Sequence, residues 1–345
     1  MAERETFLVV ETGRLGDLVM TTPALEGLRR GSPEARIVVA GGWPLPILEN
    51  HPAVDRLVEV PHPNPRWLRL ALERRRWRRW LADQNCRAVL ICHGHDHRIW
   101  HGAAERAGVP QIFSERLSRP SGDHHSERLH RLAVKIAGCD SVPPPARIVV
   151  TDEERQAARH RLTRLGRDEN RRLVGVHVGT GRLSRGRTDL SKKMWPLERW
   201  KALLPDLVKT WDTQVLFTGT TAEAAAVEGV VAAAPEGAAV NLAGRTGVRE
   251  LAAAVSLCDL FITPDTGPMH LAAALDVPLV AIFSVTSPAD VGPRGPSARH
   301  TIITSAAPCL PCSRKAQRRC RKSLCTDDLT VQRVRRAADS WLQGW

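Results

Sequence analysis

The 345-residue chain contains no tyrosine, and aromatic residues make up only 4% of it. Single-strand nucleic-acid binders stack bases on aromatic side chains, so this scarcity weighs against that class. No stretch approaches the roughly 20 consecutive apolar residues that a membrane-spanning helix needs. The opening MAERETFLVV carries acidic residues and a very short apolar run. That does not suit a signal peptide, and a cytoplasmic protein is expected. The first strand-to-helix turn does not read G-x-G-x-x-G, which leaves no case for NAD.

What is present is positive charge. Lys and Arg number 50 against 37 Asp and Glu, a formal net charge of +13. Such a balance favours an anionic partner: nucleic acid, an anionic membrane surface, or a phosphorylated or acidic substrate. Hydrophobic residues at 43% support a sizeable core, and the length suits two domains. Of the eight cysteines, Cys86, Cys92, Cys139 and Cys258 stand in apolar contexts and read as small buried residues. Cys309, Cys312, Cys320 and Cys325 cluster, with Arg and Lys between them. Four thiols at such short spacings make a candidate structural zinc site, with reduced thiols under a loop as the alternative.

Short β-branched runs at 6–11, 36–41, 56–60 and 87–92 alternate with helical patterns. A second series stands at 172–179, 213–219, 238–244, 259–263, 278–284 and 300–304. Strands alternating with helices predict βαβ units and parallel sheets covered on both faces. Three prolines interrupt the pattern in CDSVPPPARIVVTDEE. We therefore place domains at 1–165 and 166–326, with a terminal helix at 327–345 that begins with acidic residues, as the helix dipole favours. Two such halves predict a cleft at the C-terminal ends of their strands.

Several turns carry chemistry. In ETGRLGDLVMTTP (11–23), Gly13 and Gly16 let backbone approach a ligand, and Asp17 either caps the next helix or faces a substrate. GTGRLSRGRTDLSKKMWPLERW (179–200) has arginine where a P-loop needs lysine. It leaves a basic loop with Thr180, Lys192 and Lys193, either a diphosphate clamp or a solvated loop. In CDLFITPDTGPMHL (258–271) a buried strand meets a helix whose first amides form an anion site, with Thr266 and His270 as further donors. Ordinary capping there would need only Asp265 or Thr266. CHGHDH (92–97) supplies His93 and His95, one residue short of the H-x-H-x-D-H metal pattern, and suits a loop facing an acidic acceptor. RWLRLALERRRWRRWL (66–81) mixes arginine with Trp67, Trp77 and Trp80. It suits an anionic membrane surface or a solvated helix with buried indoles.

RLGDLVMTTPAL (14–25), KKMWPLERW (192–200), DTGPMHLAAALDVPLVAIF (265–283) and SPADVGPRG (287–295) together resemble glycosyltransferase family 9, the heptosyltransferases, over nearly the whole chain. The resemblance implies an α/β GT-B fold: two Rossmann-like domains with parallel sheets facing across a central cleft. The acceptor would bind the first domain and the donor the second, with the C-terminal helix packing back towards the N-terminal domain. The implied reaction is an inverting, metal-independent transfer from ADP-L-glycero-D-manno-heptose to a hydroxyl of an acidic lipopolysaccharide inner-core acceptor, with no catalytic cofactor. Asp17 matches the family's proposed general base, with Gly16, His93 and His95 on the acceptor side. Lys193 matches the lysine that holds the donor diphosphate, and Thr180 a hydroxyl of the same loop. Glu223 matches a carboxylate that contacts the donor sugar or ribose, while Asp265, Thr266, Gly267 and His270 match the donor-binding turn. Glu11 departs from the family, which often has a basic residue there, and the 179–193 loop is longer and more basic. Peripheral contact with the anionic inner membrane, from its cytoplasmic face, is also expected. Two other readings are a GT-B transfer involving a protein or natural-product acceptor or another nucleotide sugar, and a basic nucleic-acid-binding protein with a four-cysteine metal site. The second leaves Asp17 and the DTGPMHL turn unexplained.

Overall fold

The computed structural model describes residues 4–60, 67–93, 97–115, 122–179, 193–312, 320 and 324–343. The chain divides into two compact units, 1–149 and 150–345.

The first unit holds a parallel sheet of β1 (Thr6–Glu11), β2 (Arg36–Gly41), β3 (Arg56–Glu59), β4 (Cys86–Ile91) and β5 (Gln111–Ser114). Their order is β3-β2-β1-β4-β5. All six residues of β1 are buried, as expected for the centre of a sheet covered on both faces. β5 was not among the expected strands. Its four residues QIFS offer no β-branched run, and it becomes a strand by pairing with β4 at the sheet edge. The helices are α1 (Leu15–Gly31), α2 (Trp67–Ala82), α3 (His97–Arg106) and α4 (His125–Ala137). Pro23 lies inside α1 and cannot donate to the Val19 carbonyl one turn back. The Thr22 hydroxyl donates there instead, at 2.8 Å, so the helix runs on unbroken.

On α2, Trp77 is buried against Trp100, with ring centroids 4.5 Å apart, while Arg75, Arg76, Arg78 and Arg79 are on the solvent side. Trp77 is therefore core, and the helix shows solvent a basic face. Among the described residues no helix is long and apolar enough to cross a membrane.

His51, between β2 and β3, is buried, and its Nδ1 accepts from the Ala53 amide at 3.3 Å. Burial, helped by the charge of Arg147, pushes its pKa from 6.5 down to about 4. Between those two values the unfolded chain takes up a proton that the folded chain refuses, so stability falls as pH drops through that window. Acidifying from pH 7 to 4 is expected to remove about 3 kcal/mol at this residue alone. Urea midpoints across that range check it, with His51→Gln giving a shallower decline.

The second unit opens with α5 (Asp152–Arg164) and contains β6 (Arg172–His177), α6 (Leu197–Trp211), β7 (Thr213–Thr218), α7 (Ala224–Val231) and β8 (Ala239–Asn241). It continues through α8 (Val248–Val255), β9 (Leu260–Pro264), α9 (Gly267–Ala274), β10 (Leu279–Phe283), α10 (Pro288–Val291), β11 (His300–Thr304) and α11 (Val331–Leu342). Its parallel strands run β11-β10-β9-β6-β7-β8. Two sequence expectations are corrected here. α5, placed before the boundary, belongs to the second unit: Leu162 is buried with Leu173 and Phe261, and Glu154 pairs with Arg249 on α8 at 2.5 Å. α11, expected to turn back towards the first domain, has its apolar stripe Val334, Ala338 and Leu342 buried with Trp195 and Trp200 in the second unit. Just before it, the Leu329 carbonyl accepts from Trp195 Nε1 at 2.6 Å. Chain order reverses beside β1 in one sheet and beside β6 in the other, which puts the turns after β1, β6 and β9 where ligands bind in such sheets.

Candidate active site

In the first unit, the buried Glu11 ends β1, and its Oε1 accepts from the Gly13 amide at 2.6 Å. Asp17, in the first turn of α1, accepts from the Arg14 amide through Oδ2 at 2.8 Å. A Cβ at position 13 would lie 2.6 Å from both carboxylates, so a side chain there would push them out of these contacts. Asp17 therefore does cap α1, but with one oxygen: Oδ1 makes no hydrogen bond among the described residues. Gly16 is buried in the same turn.

The charges of Asp17 and of His93, beyond the end of β4, both act on His125 at the start of α4. Arg128 donates to His125 Nδ1 at 3.1 Å and is held by Glu115 Oε1, also at 3.1 Å, and by the Asp123 carbonyl at 2.6 Å. Burial holds the pKa of His125 below its ordinary value, with Arg128 and His93 opposing the raising effect of Glu115 and Asp17. His125, Arg128 and Glu115 thus form one polar cluster, on which Asp17 and His93 act through charge alone. Sequence reasoning missed those three because they follow β5, the unrecognised strand. His95 lies outside the described residues.

In the second unit, β9 ends at Pro264 and α9 begins at Gly267. Neither polar side chain of this turn caps the helix. Asp265 Oδ2 instead holds Lys193 Nζ at 2.5 Å and accepts from Thr286 Oγ1 at 2.6 Å. Thr266 Oγ1 turns to Thr263 Oγ1, at 2.9 Å. The capping reading therefore fails, and the amide end of α9 keeps its anion-binding character beside a lysine that Asp265 fixes. Asp265 and His270 are buried and Gly267 is half-buried. Thr286 was missed, although it stands immediately before the SPADVGPRG motif.

Glu223 belongs to a neighbouring set at the ends of β6 and β7. It is buried, and its Oε2 accepts from the Thr220 amide and hydroxyl at 2.8 and 2.9 Å. Its Oε1 has no hydrogen-bond partner among the described residues. Thr180, the loop to Lys192 and the P-loop-like stretch lie outside the described residues.

The four cysteines of the candidate zinc site differ in exposure. Cys309 is exposed, Cys312 and Cys320 are half-buried, and Cys325 is buried. Among the described residues, no group of three or more His, Cys, Asp or Glu is gathered to hold a metal.

The model of glycosyltransferase family 9 (heptosyltransferase) matches residues 47–322. Lipopolysaccharide heptosyltransferase 1 of Escherichia coli K12 is 27% identical over 84% of this chain and 90% of its own length. A glycosyltransferase family 9 structure from Veillonella parvula superposes with a TM-score of 0.82 at 22% identity, over 99% of this chain and 98% of that one. The E. coli ADP-heptose lipopolysaccharide heptosyltransferase II structure gives 0.77 at 20% identity, over 98% of both chains. Those likenesses bear out the two-sheet GT-B architecture. With the family model covering most of its length, the chain belongs to glycosyltransferase family 9 and is a glycosyltransferase.

Proposed function

We propose that this enzyme transfers heptose from ADP-heptose to a hydroxyl of an acidic lipopolysaccharide inner-core acceptor, with inversion. The observation that carries the reading is the Lys193–Asp265–Thr286 arrangement beside the uncapped start of α9. Asp17 Oδ1 takes the proton as the acceptor oxygen attacks the anomeric carbon from the face opposite the diphosphate. The C–O bond to the diphosphate breaks, and ADP leaves with the electron pair. Lys193 and the amides at Thr266 and Gly267 stabilise the charge that develops there, the service a divalent cation performs elsewhere, so the step needs no metal. The arginine face of α2 supports peripheral association with an anionic membrane on its cytoplasmic side.

Calorimetry with ADP-heptose, and with UDP-glucose and GDP-mannose as controls, tests the donor. Adenine-selective binding that Asp265→Ala weakens is the expected result. Selectivity for another nucleotide would keep the fold and remove the heptose assignment.

A further inference from the structure

We infer that His125 is an acceptor-binding residue, whose Nε2–H holds an oxygen of the acceptor sugar beside the hydroxyl that Asp17 deprotonates. This rests on the proposed reaction and deepens it, because it names what the acceptor must offer besides that hydroxyl.

The tautomer of His125 follows from its neighbour. Arg128 Nη2 lies 3.1 Å from His125 Nδ1, and a guanidinium can only donate. Nδ1 therefore accepts, and the neutral ring carries its proton on Nε2. Arg128 is itself held through all three nitrogens. Its Nε and Nη2 donate to Glu115 Oε1 at 3.3 and 3.1 Å, and its Nη1 to the Asp123 carbonyl at 2.6 Å. Arg128 thus positions the imidazole rather than gripping an anion. His125 Nε2–H makes no hydrogen bond among the described residues, and the side chain is 13% exposed, so a ligand can reach it.

Packing places that open donor level with Asp17. The Pro23 carbonyl of α1 lies 2.9 Å from His130 Nδ1 on α4. A Cβ at Gly27 would meet the same imidazole at 2.8 Å, and one at Gly31 would meet Ala137 at 2.5 Å. These contacts climb both helices together, so α1 and α4 run parallel. From Pro23 back to Asp17 is about 9 Å of helix, and from His130 back to His125 about 7.5 Å. Both residues thus stand at the same end of the helix pair, and the Asp17 charge acts on the imidazole. Asp17 is half-buried too, with Oδ1 open. The pair offers one acceptor and one donor. It fits a sugar that gives a hydroxyl proton to Asp17 and presents a neighbouring oxygen, of a hydroxyl or a carboxylate, to His125. A base alone would serve any hydroxyl that reached it, whereas the second contact fixes which one does.

The experiment follows heptose transfer from ADP-heptose to lipopolysaccharide lacking heptose, by the full-length wild type, His125→Asn and His125→Gln. Asparagine keeps an acceptor for Arg128 and loses the outer N–H, whereas glutamine carries an N–H out to where Nε2 stands. His125→Asn is expected to raise the acceptor KM about three- to tenfold, and further where the bonded oxygen is charged, the range of one hydrogen bond. Its kcat should change far less, its KM for ADP-heptose and its melting temperature should hold, and His125→Gln should recover most of the loss. Lipopolysaccharide with its carboxylates reduced to alcohols identifies the oxygen. If the wild type loses the same margin there, the oxygen is a carboxylate's; if the margin between wild type and His125→Asn persists, it is a hydroxyl's. An unchanged acceptor KM in His125→Asn, a fall in kcat alone, or a glutamine variant as impaired as the asparagine one overturns the inference. A wild type that transfers no heptose removes the proposed reaction, and this inference with it.

Discussion

Asp17→Asn is expected to lower turnover by about 10²- to 10⁴-fold, the usual contribution of a positioned general base, with ADP affinity unchanged. The substitution separates chemistry from folding. Asp17 has two tasks, accepting the Arg14 amide through Oδ2 and presenting Oδ1. Asparagine still accepts from Arg14, so the start of α1 keeps its cap, while the amide cannot take a proton. Asp17→Ala removes both, and adds a capping loss of about 1 kcal/mol that thermal melts would register. Steady-state rates with saturating ADP-heptose, read beside those melts, decide the matter. A folded Asp17→Asn enzyme that turns over at the wild-type rate would refute the base assignment.

The second large effect is at Lys193. Lys193→Met is expected to reduce kcat by about 10²- to 10³-fold, since it withdraws a donor aimed at charge that grows on the leaving diphosphate. Donor affinity should fall by roughly tenfold or more. The substitution also leaves the buried Asp265 carboxylate with Thr286 alone. A parallel Asp265→Asn variant measures that share: its affinity loss should be smaller and its kcat closer to wild type, because the ammonium survives without its anchor. Steady-state kinetics with calorimetry resolve the two. An Lys193→Met enzyme with unaltered kcat would place the diphosphate elsewhere.

Much of this was readable before any coordinates. The central strands are short, apolar and bounded by turn residues, and nearly all fall where the pattern put them. Asp17 and the DTGPMHL turn stood out because both carry more polar groups than a turn between buried elements requires. What could not be read was which group those polar atoms serve. DTGPMHL fits a capped helix equally well until Asp265 is seen to hold Lys193, 72 positions away in sequence. α5 and α11 were assigned by linear order, whereas their membership follows from where Leu162, Val334 and Leu342 find apolar neighbours.

The burial of α11 also bears on how the polypeptide is made. The first unit draws its internal contacts from residues 1–149 alone, so all its parts leave the ribosome early. The second cannot close around Trp195 and Trp200 until Leu329, Val334 and Leu342 emerge, late in synthesis. Domains generally fold in the order they are made. During translation the second unit thus waits, with part of its apolar interior open, for this last helix.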